Sequence, residues 1–74
     1  MMKIKQEDVV KALDFLREQG LTDEQIAVAI GQQMPGGVHP SSMSVYRWRI
    51  GRNRPRQMFG WVILEMAKVQ RSKK

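Results

Sequence analysis

Residues 44–55, SVYRWRIGRNRP, combine four arginines with a tyrosine and a tryptophan and contain no acidic residue. The guanidinium group of arginine is a rigid fork of donors that matches phosphate oxygens and the N7 and O6 acceptors of guanine. Residues 1–31 carry four basic and six acidic side chains, whereas residues 32–74 carry nine basic and one acidic. The formal net charge of +6 therefore comes from the second part of the chain, which is a candidate to contact a polyanion, although lysine-rich surfaces also make many unrelated proteins basic.

A chain of 74 residues without cysteine has to be stabilised by one small hydrophobic core, without disulfides or thiolate zinc sites. Its purely apolar runs, such as 26–30 and 61–64, are at most five residues long, far shorter than the roughly 20 residues that span a bilayer. The sequence start also lacks the apolar region of a signal peptide. We expect a single domain, residues 1–74, in the cytoplasm.

Apolar residues recur at helical spacing in four segments, and no useful stretch alternates as a β-strand does. Thr22 and Gln25 have the spacing of a capping box, which marks the start of the second helix. Gly20 and Gly31 are expected to end the first and second helices, because glycine adopts the left-handed cap without steric cost. We predict a compact all-α fold with helices at about 6–19, 23–30, 42–50 and 55–69, followed by a basic tail at 70–74.

The segment QQMPGGVHP, residues 32–40, contains two prolines and two glycines and predicts an exposed loop without regular structure. His39 is interpreted as a loop residue, because no cysteine, histidine or carboxylate lies nearby at metal-ligand spacing. The acidic residues of 7–24 form no recognisable catalytic pattern, and Gly36 and Gly37 lack the Lys-Ser/Thr pair of a phosphate-binding loop. We expect no enzymatic activity, cofactor, metal or small-molecule ligand.

The third helix is predicted to have two chemically different sides. A side that carries a guanidinium, hydroxyls and an apolar group suits the major groove of B-DNA, where arginine bonds guanine and apolar groups touch the thymine methyl. The side expected to face the core comprises Ser41, Val45 and Trp48, and the outward side comprises Met43, Arg47 and Ile50, with Ser44 and Tyr46 on the flanks.

The segments TDEQIAVAIG, residues 22–31, and SMSVYRWRIGRNRP, residues 42–55, resemble the two halves of the helix-turn-helix motif in the Cro and lambda-repressor-like family. That family has a Thr or Ser cap, an Ile/Leu-Ala pair and a glycine in the first half, then an aromatic residue, a glycine and a proline in the second. The matching positions are Thr22, Ile26, Ala27 and Gly31, then Trp48, Gly51 and Pro55. The resemblance covers about 22–69.

The resemblance implies a phage- or prophage-type regulator, a repressor or an activator, that binds double-stranded operator DNA. It implies base contacts by Ser42, Met43, Tyr46 and Arg47, and phosphate contacts near Arg49, Arg52 and Arg54. We also expect phosphate contacts by Ser41 and Ser44, because they lie at the start of the third helix, and by Arg56, because of its charge.

One feature departs from the family pattern. About eight extra residues separate Gly31 from Ser41, where the family has a tight turn. Either the loop bulges away and leaves the packing of the two helices intact, which we expect, or the third helix is displaced.

The fourth helix is apolar on more sides than a domain this small can cover. We therefore expect a homodimer with an interface at Met58, Trp61, Val62 and Leu64. Two alternatives remain for the function. The chain could be a protein-interaction module, such as an antitoxin or antirepressor, or a binder of RNA or DNA without sequence preference.

Overall fold

The computed structural model describes residues 4–72, and these form four α-helices and one short 3₁₀ turn, with no β-strand among them. The all-α prediction is therefore confirmed, while Lys73 and Lys74 of the predicted basic tail lie outside the described residues. No helix in this range is long and apolar enough to cross a bilayer. The helices are α1 (Gln6–Glu18), α2 (Asp23–Gln33), α3 (Ser42–Arg49) and α4 (Gln57–Ser72).

The hydrophobic core is built around α1, whose buried residues follow the three- and four-residue spacing of one helix face. Helices α3 and α4 pack against α1, and α2 packs against α3 and α4, while the described residues bury no polar or charged side chain. All four helices thus share one core. Its buried members are Val9, Ala12, Leu13, Leu16, Ile26, Ala27, Ile30, Val45, Trp48, Ile63 and Ala67.

The start of α2 is fixed by the predicted capping box. The Gln25 backbone N–H donates to Thr22 Oγ1 at 3.1 Å, and the Thr22 N–H donates to Gln25 Oε1 at 2.9 Å. These bonds satisfy two of the backbone donors that a helix start leaves unpaired, and such caps typically contribute about 1 kcal/mol. The prediction for this helix start is confirmed, as is the end of α1 before Gly20.

The prediction that Gly31 ends the second helix is wrong. The helix continues to Gln33, and Gly31 is buried within it. A Cβ atom at this position would lie 2.5 Å from the Cβ of His39, which is closer than two carbon atoms can approach. Glycine is therefore needed here because the chain returns across the helix, and not because of a left-handed backbone.

The segment 32–40 is also more regular than its proline and glycine content predicted. Gln32 and Gln33 belong to α2, Pro35–Gly37 form the 3₁₀ turn, and Pro40 is buried. After this connection α3 packs against both α2 and α1. The inserted segment between Gly31 and Ser41 therefore ends at His39 and Pro40, where the chain lies close to Gly31 of α2.

The fourth helix lies further along the chain than predicted. It begins at Gln57 instead of Pro55 and extends to Ser72, so 70–72 of the expected tail are helical. The Arg71 guanidinium lies over the Phe15 ring, 4.9 Å from its centroid, and this cation–π contact ties the last turn of α4 to α1. The sequence predicted a tail at 70–74 from positive charge alone, and charge gives no sign of a contact between Arg71 and Phe15.

Replacing Gly31 with alanine tests the close approach of the returning chain. In an open helix interior, this change would stabilise the protein by about 0.5–1 kcal/mol. Here the added methyl group clashes with His39, so we expect a loss of about 1–3 kcal/mol, measured by urea denaturation. On a His39→Gly background the loss should shrink or reverse, because the clashing side chain is gone. A stabilised Gly31→Ala protein would contradict the close contact.

Candidate nucleic-acid interface

The third helix is anchored by its inner side. Val45 is fully buried and Trp48 is 7% exposed, and the Trp48 ring packs against Phe59 of α4 with 5.6 Å between the ring centroids. Their predicted position in the core is confirmed. Trp48 is therefore a structural anchor, and its ring is not free to stack on a base.

Ser41 does not face the core, contrary to the prediction from helical rotation. It is the exposed N-cap of α3, and its extended backbone places it outside the helical geometry on which the rotation was based. Its Oγ accepts a hydrogen bond from the Ser44 backbone N–H at 3.1 Å and lies 3.1 Å from Ser44 Oγ. Both hydroxyls thus stabilise the start of α3, and contact of either with a phosphate stays a prediction.

The outer side of α3 is open to solvent, as predicted. Ser42 and Arg47 are exposed, and Met43, Tyr46 and Ile50 are about half exposed. The Arg47 side chain has no hydrogen bond or ion pair with any of the described residues. The four residues expected to contact bases, Ser42, Met43, Tyr46 and Arg47, are therefore all exposed on this helix.

Arg49 differs from the other arginines because it is held within the fold. Its Nε and Nη2 each donate to one carboxylate oxygen of Asp23, at 3.2 Å, and the two side chains are only 21% and 18% exposed. The hydrogen bonds to Asp23 raise the pKa of Arg49 above its usual value, against the effect of partial burial. We therefore remove Arg49 from the residues expected to contact phosphates, since its fork already binds a carboxylate.

The same guanidinium also supports the outer side of α3. Its central carbon lies over the Tyr46 ring, 5.4 Å from the centroid. Asp23, Arg49 and Tyr46 thus form a chain of contacts from α2 to the exposed edge of α3. The acidic residue at the start of α2 was visible in the sequence, but its pairing with a residue 26 positions away was not.

We name residues 51–56 the arginine turn, which connects α3 to α4. Gly51 has φ of +80°, a conformation that side chains disfavour, and it lets the chain reverse so that the Arg52 N–H donates to the Arg47 carbonyl at 2.9 Å. Arg52, Arg54 and Arg56 are all exposed. The turn therefore presents three exposed cations in the segment directly after α3, without an acidic residue among them.

Gln6, at the start of α1, was not recognised from the sequence. Its side chain donates to the Gly51 carbonyl at 2.9 Å and accepts a hydrogen bond from Arg54 Nε at 3.2 Å. An isolated glutamine before an amphipathic helix gives no signal of such a contact. The structure thus connects the arginine turn to α1.

A second candidate binding surface lies along α4, on the side that faces α2 and the end of α1. Met58 and Trp61 are about half exposed, whereas Val62 and Leu64 are partly buried against the core. These four residues, together with Val69 of α4 and residues of α1, α2 and the turn between them, line an open groove of about 820 Å³, which we name the α4 groove. Within the predicted dimer interface, the exposed apolar surface thus belongs to Met58 and Trp61.

The described residues contain no group of three or more acidic, histidine or cysteine side chains that could hold a metal ion. His39 is exposed, and its Nδ1 lies 3.0 Å from the Pro40 carbonyl oxygen. The outer side of α3 and the arginine turn carry exposed arginines, and the α4 groove carries the half-exposed Met58 and Trp61.

The contribution of the Asp23–Arg49 pair can be measured with a matched neighbour. Asp23→Asn removes both the pair and one charge at the start of α2, whereas Glu24→Gln removes only a charge from the same helix turn. We expect Asp23→Asn to lower the free energy of unfolding by about 1–2 kcal/mol more than Glu24→Gln does. On an Arg49→Ala background the two changes should have equal effects, and an unaltered difference would contradict the pairing.

Comparisons of the chain with family models, with curated proteins and with solved structures give no match. The function of the protein is therefore inferred from the geometry and charge of the surfaces described above.

Proposed function

We propose that this protein is a sequence-specific double-stranded DNA-binding regulator, in which α2 and α3 act as a helix-turn-helix of the lambda-repressor type and α3 reads the major groove. The observation that carries the proposal is the division of α3: Val45 and Trp48 are buried, while Met43, Tyr46 and Arg47 are exposed without an acidic partner. A helix presented in this way is available to a groove without any rearrangement of the core.

The dimensions and chemistry of α3 fit this role. With its side chains an α-helix is about 10–12 Å in diameter, which fits the major groove of about 12 Å width, and the eight residues of α3 extend about 12 Å along its axis. Arg47 is suited to guanine O6 and N7, and Met43 to the methyl group of thymine. Ser42 and Tyr46, four residues apart and therefore on the same flank of the helix, add hydroxyl groups. The outer side thus combines the hydrogen-bonding and apolar contacts that distinguish base pairs.

The arginine turn supplies the contacts that do not depend on sequence. Arg52, Arg54 and Arg56 are exposed cations in the segment that follows α3, and phosphate contacts from such side chains orient a protein on the duplex. With three phosphates neutralised per chain, the logarithm of the binding constant should fall with the logarithm of salt concentration at a slope of about −2.7. Binding to an operator would regulate transcription by excluding polymerase, without any catalysed reaction.

A second copy of the chain is the proposed occupant of the α4 groove. Glu65 and Lys68 lie one turn apart at the groove, so that an antiparallel α4 of the second copy can place its own Lys68 next to Glu65. The contact would cover Met58 and Trp61 while pairing charges of opposite sign. Two copies related by a two-fold axis would present two α3 helices to the half-sites of a palindrome.

Two arginines with different proposed roles give the main test. A duplex library is first screened to select a preferred site, and binding is then measured for that site, random duplex and single-stranded RNA at two salt concentrations. Arg47→Ala should cost about 1–3 kcal/mol on the selected site and relax the preference at one base pair. Arg52→Ala should weaken binding to all duplexes alike and reduce the salt slope by about 0.9 per chain.

Equal behaviour of the two variants would contradict the division between base and phosphate contacts. Loss of all preference for the selected site as salt rises would favour a nonspecific nucleic-acid binder. Absence of binding to every nucleic acid would remove the proposal and favour a protein-interaction module.

The proposal that a second copy occupies the α4 groove is tested by substituting two residues of equal exposure. Trp61 in the α4 groove and Val28 on α2 are both 48% exposed, and Val28 lies outside the groove. We expect wild-type protein to sediment at twice the 8.6 kDa chain mass at micromolar concentrations. Trp61→Glu should sediment as a monomer, because a carboxylate is costly in an apolar interface, whereas Val28→Glu should remain a dimer. A monomeric wild-type protein would contradict the proposal.

A further inference from the structure

The arginine turn is connected to the rest of the fold by Gln6, the first residue of α1. The Gln6 Nε2 donates to the Gly51 carbonyl at 2.9 Å and to the Asn53 carbonyl at the longer distance of 3.5 Å. Its Oε1 accepts from Arg54 Nε at 3.2 Å. A single amide therefore contacts the beginning, the middle and a side chain of the turn.

These contacts matter because the turn has little other support. Residues 51–54 are exposed, and their backbone N–H bonds return to α3 itself, at the Arg47 and Trp48 carbonyls. The bonds from Gln6 join the turn to a different helix. Gln6 is partly buried, and with Arg54 and Arg56 it lines a cleft of about 220 Å³ between α1 and the start of α4.

The hydrogen bond from Arg54 to Gln6 leaves the two terminal amino groups of the Arg54 guanidinium available to bind another group. Oε1 of Gln6 binds the Nε–H, so the two terminal amino groups retain their outward N–H donors. This pair of donors is the part of the fork that can bind a phosphate oxygen pair. Fixing one edge of the fork lowers the rotational freedom that arginine would lose on binding.

We propose that Gln6 is a positioning residue for DNA binding, which holds Arg54 with its terminal amino groups toward a backbone phosphate. This inference rests on the proposed function and adds to it a residue of α1 that does not touch DNA. Gln6 then acts by pre-orienting the contact, whereas Arg54 makes it. The two roles have different signatures in binding measurements.

The experiment compares Gln6→Ala, Arg54→Ala and the double variant for binding to the selected duplex across a range of salt concentrations. Gln6→Ala should weaken binding about threefold to tenfold at every salt concentration with the slope nearly unchanged, because the phosphate contact still forms but at higher entropic cost. Arg54→Ala should reduce the slope by about 0.9 per chain. The double variant should bind like Arg54→Ala.

Gln19→Ala serves as the matched control, because Gln19 is an exposed glutamine at the other end of α1 whose backbone N–H makes the bonds of the helix end. It should bind like wild type. Thermal unfolding should show that Gln6→Ala lowers the melting temperature by no more than about 4–8 °C, so that the variant is still folded in the binding measurement, since the hydrogen bonds it loses lie at the surface. A purely structural role would lower the melting temperature and leave the binding of the folded protein unchanged.

A measurement without DNA separates this inference from the proposed function. In the free wild-type protein, the Arg54 Nε–H should exchange with solvent more slowly than that of Arg52, and Gln6→Ala should abolish the difference in NMR spectra. Equal exchange rates in wild type, wild-type affinity of Gln6→Ala, or additive losses in the double variant would each overturn the inference. Absence of binding by wild-type protein, with slow Arg54 exchange, would instead overturn the proposed function and the DNA-binding role of Gln6 with it, while leaving the contact between Gln6 and Arg54 in place.

Discussion

The burial of Val45 and Trp48 is the interaction on which the rest of this structure depends. A helix of eight residues is too short to be stable alone in water, because the cost of nucleation exceeds what so few backbone bonds return. Burial of these two side chains against α1, α2 and α4 supplies the missing stability. It also determines which side of α3 remains outside, so that the folding requirement and the orientation of the proposed binding face have the same origin.

The arginines near α3 divide into two groups by their surroundings. Arg49 is held by a carboxylate and contributes to the attachment of α3 to α2, whereas Arg47 and Arg52 have no such partner among the described residues. Residue type alone could not separate them, since each is an arginine within six positions of the others. The distinction depends on the direction in which each side chain leaves the helix and on what it meets there.

The sequence predicted those parts of the fold that depend on local interactions. Helical spacing located all four helices, the Thr22–Gln25 pair located a helix start, and the rotation of α3 separated Val45 and Trp48 from Met43 and Arg47. The features that it did not predict join positions far apart in the chain. The pairing of Asp23 with Arg49, and the contacts of Gln6 with the arginine turn, depend on how helices meet.

Gly31 shows why a local sequence signal can predict a helix end wrongly. In sequence, a glycine after an apolar helical stretch indicates a helix end, and the same residue is equally required where another segment crosses a helix closely. Only the position of His39 distinguishes these two causes. A similar ambiguity affected 70–72, where positive charge suggested a tail, although Phe15 provides a site for the Arg71 guanidinium.

The connection between α2 and α3 is held in place at its ends and exposed in its middle. Gly31 and His39 are in contact and Pro40 is buried, while 35–38 are exposed. Changes in the length of that middle part need not be transmitted to α3, because the chain is already seated before the helix begins. The exposed middle of the connection, 35–38, is therefore a suitable attachment point for a fluorescent label or an affinity tag. A label there should not displace α3, whose outer side is the surface proposed to bind DNA.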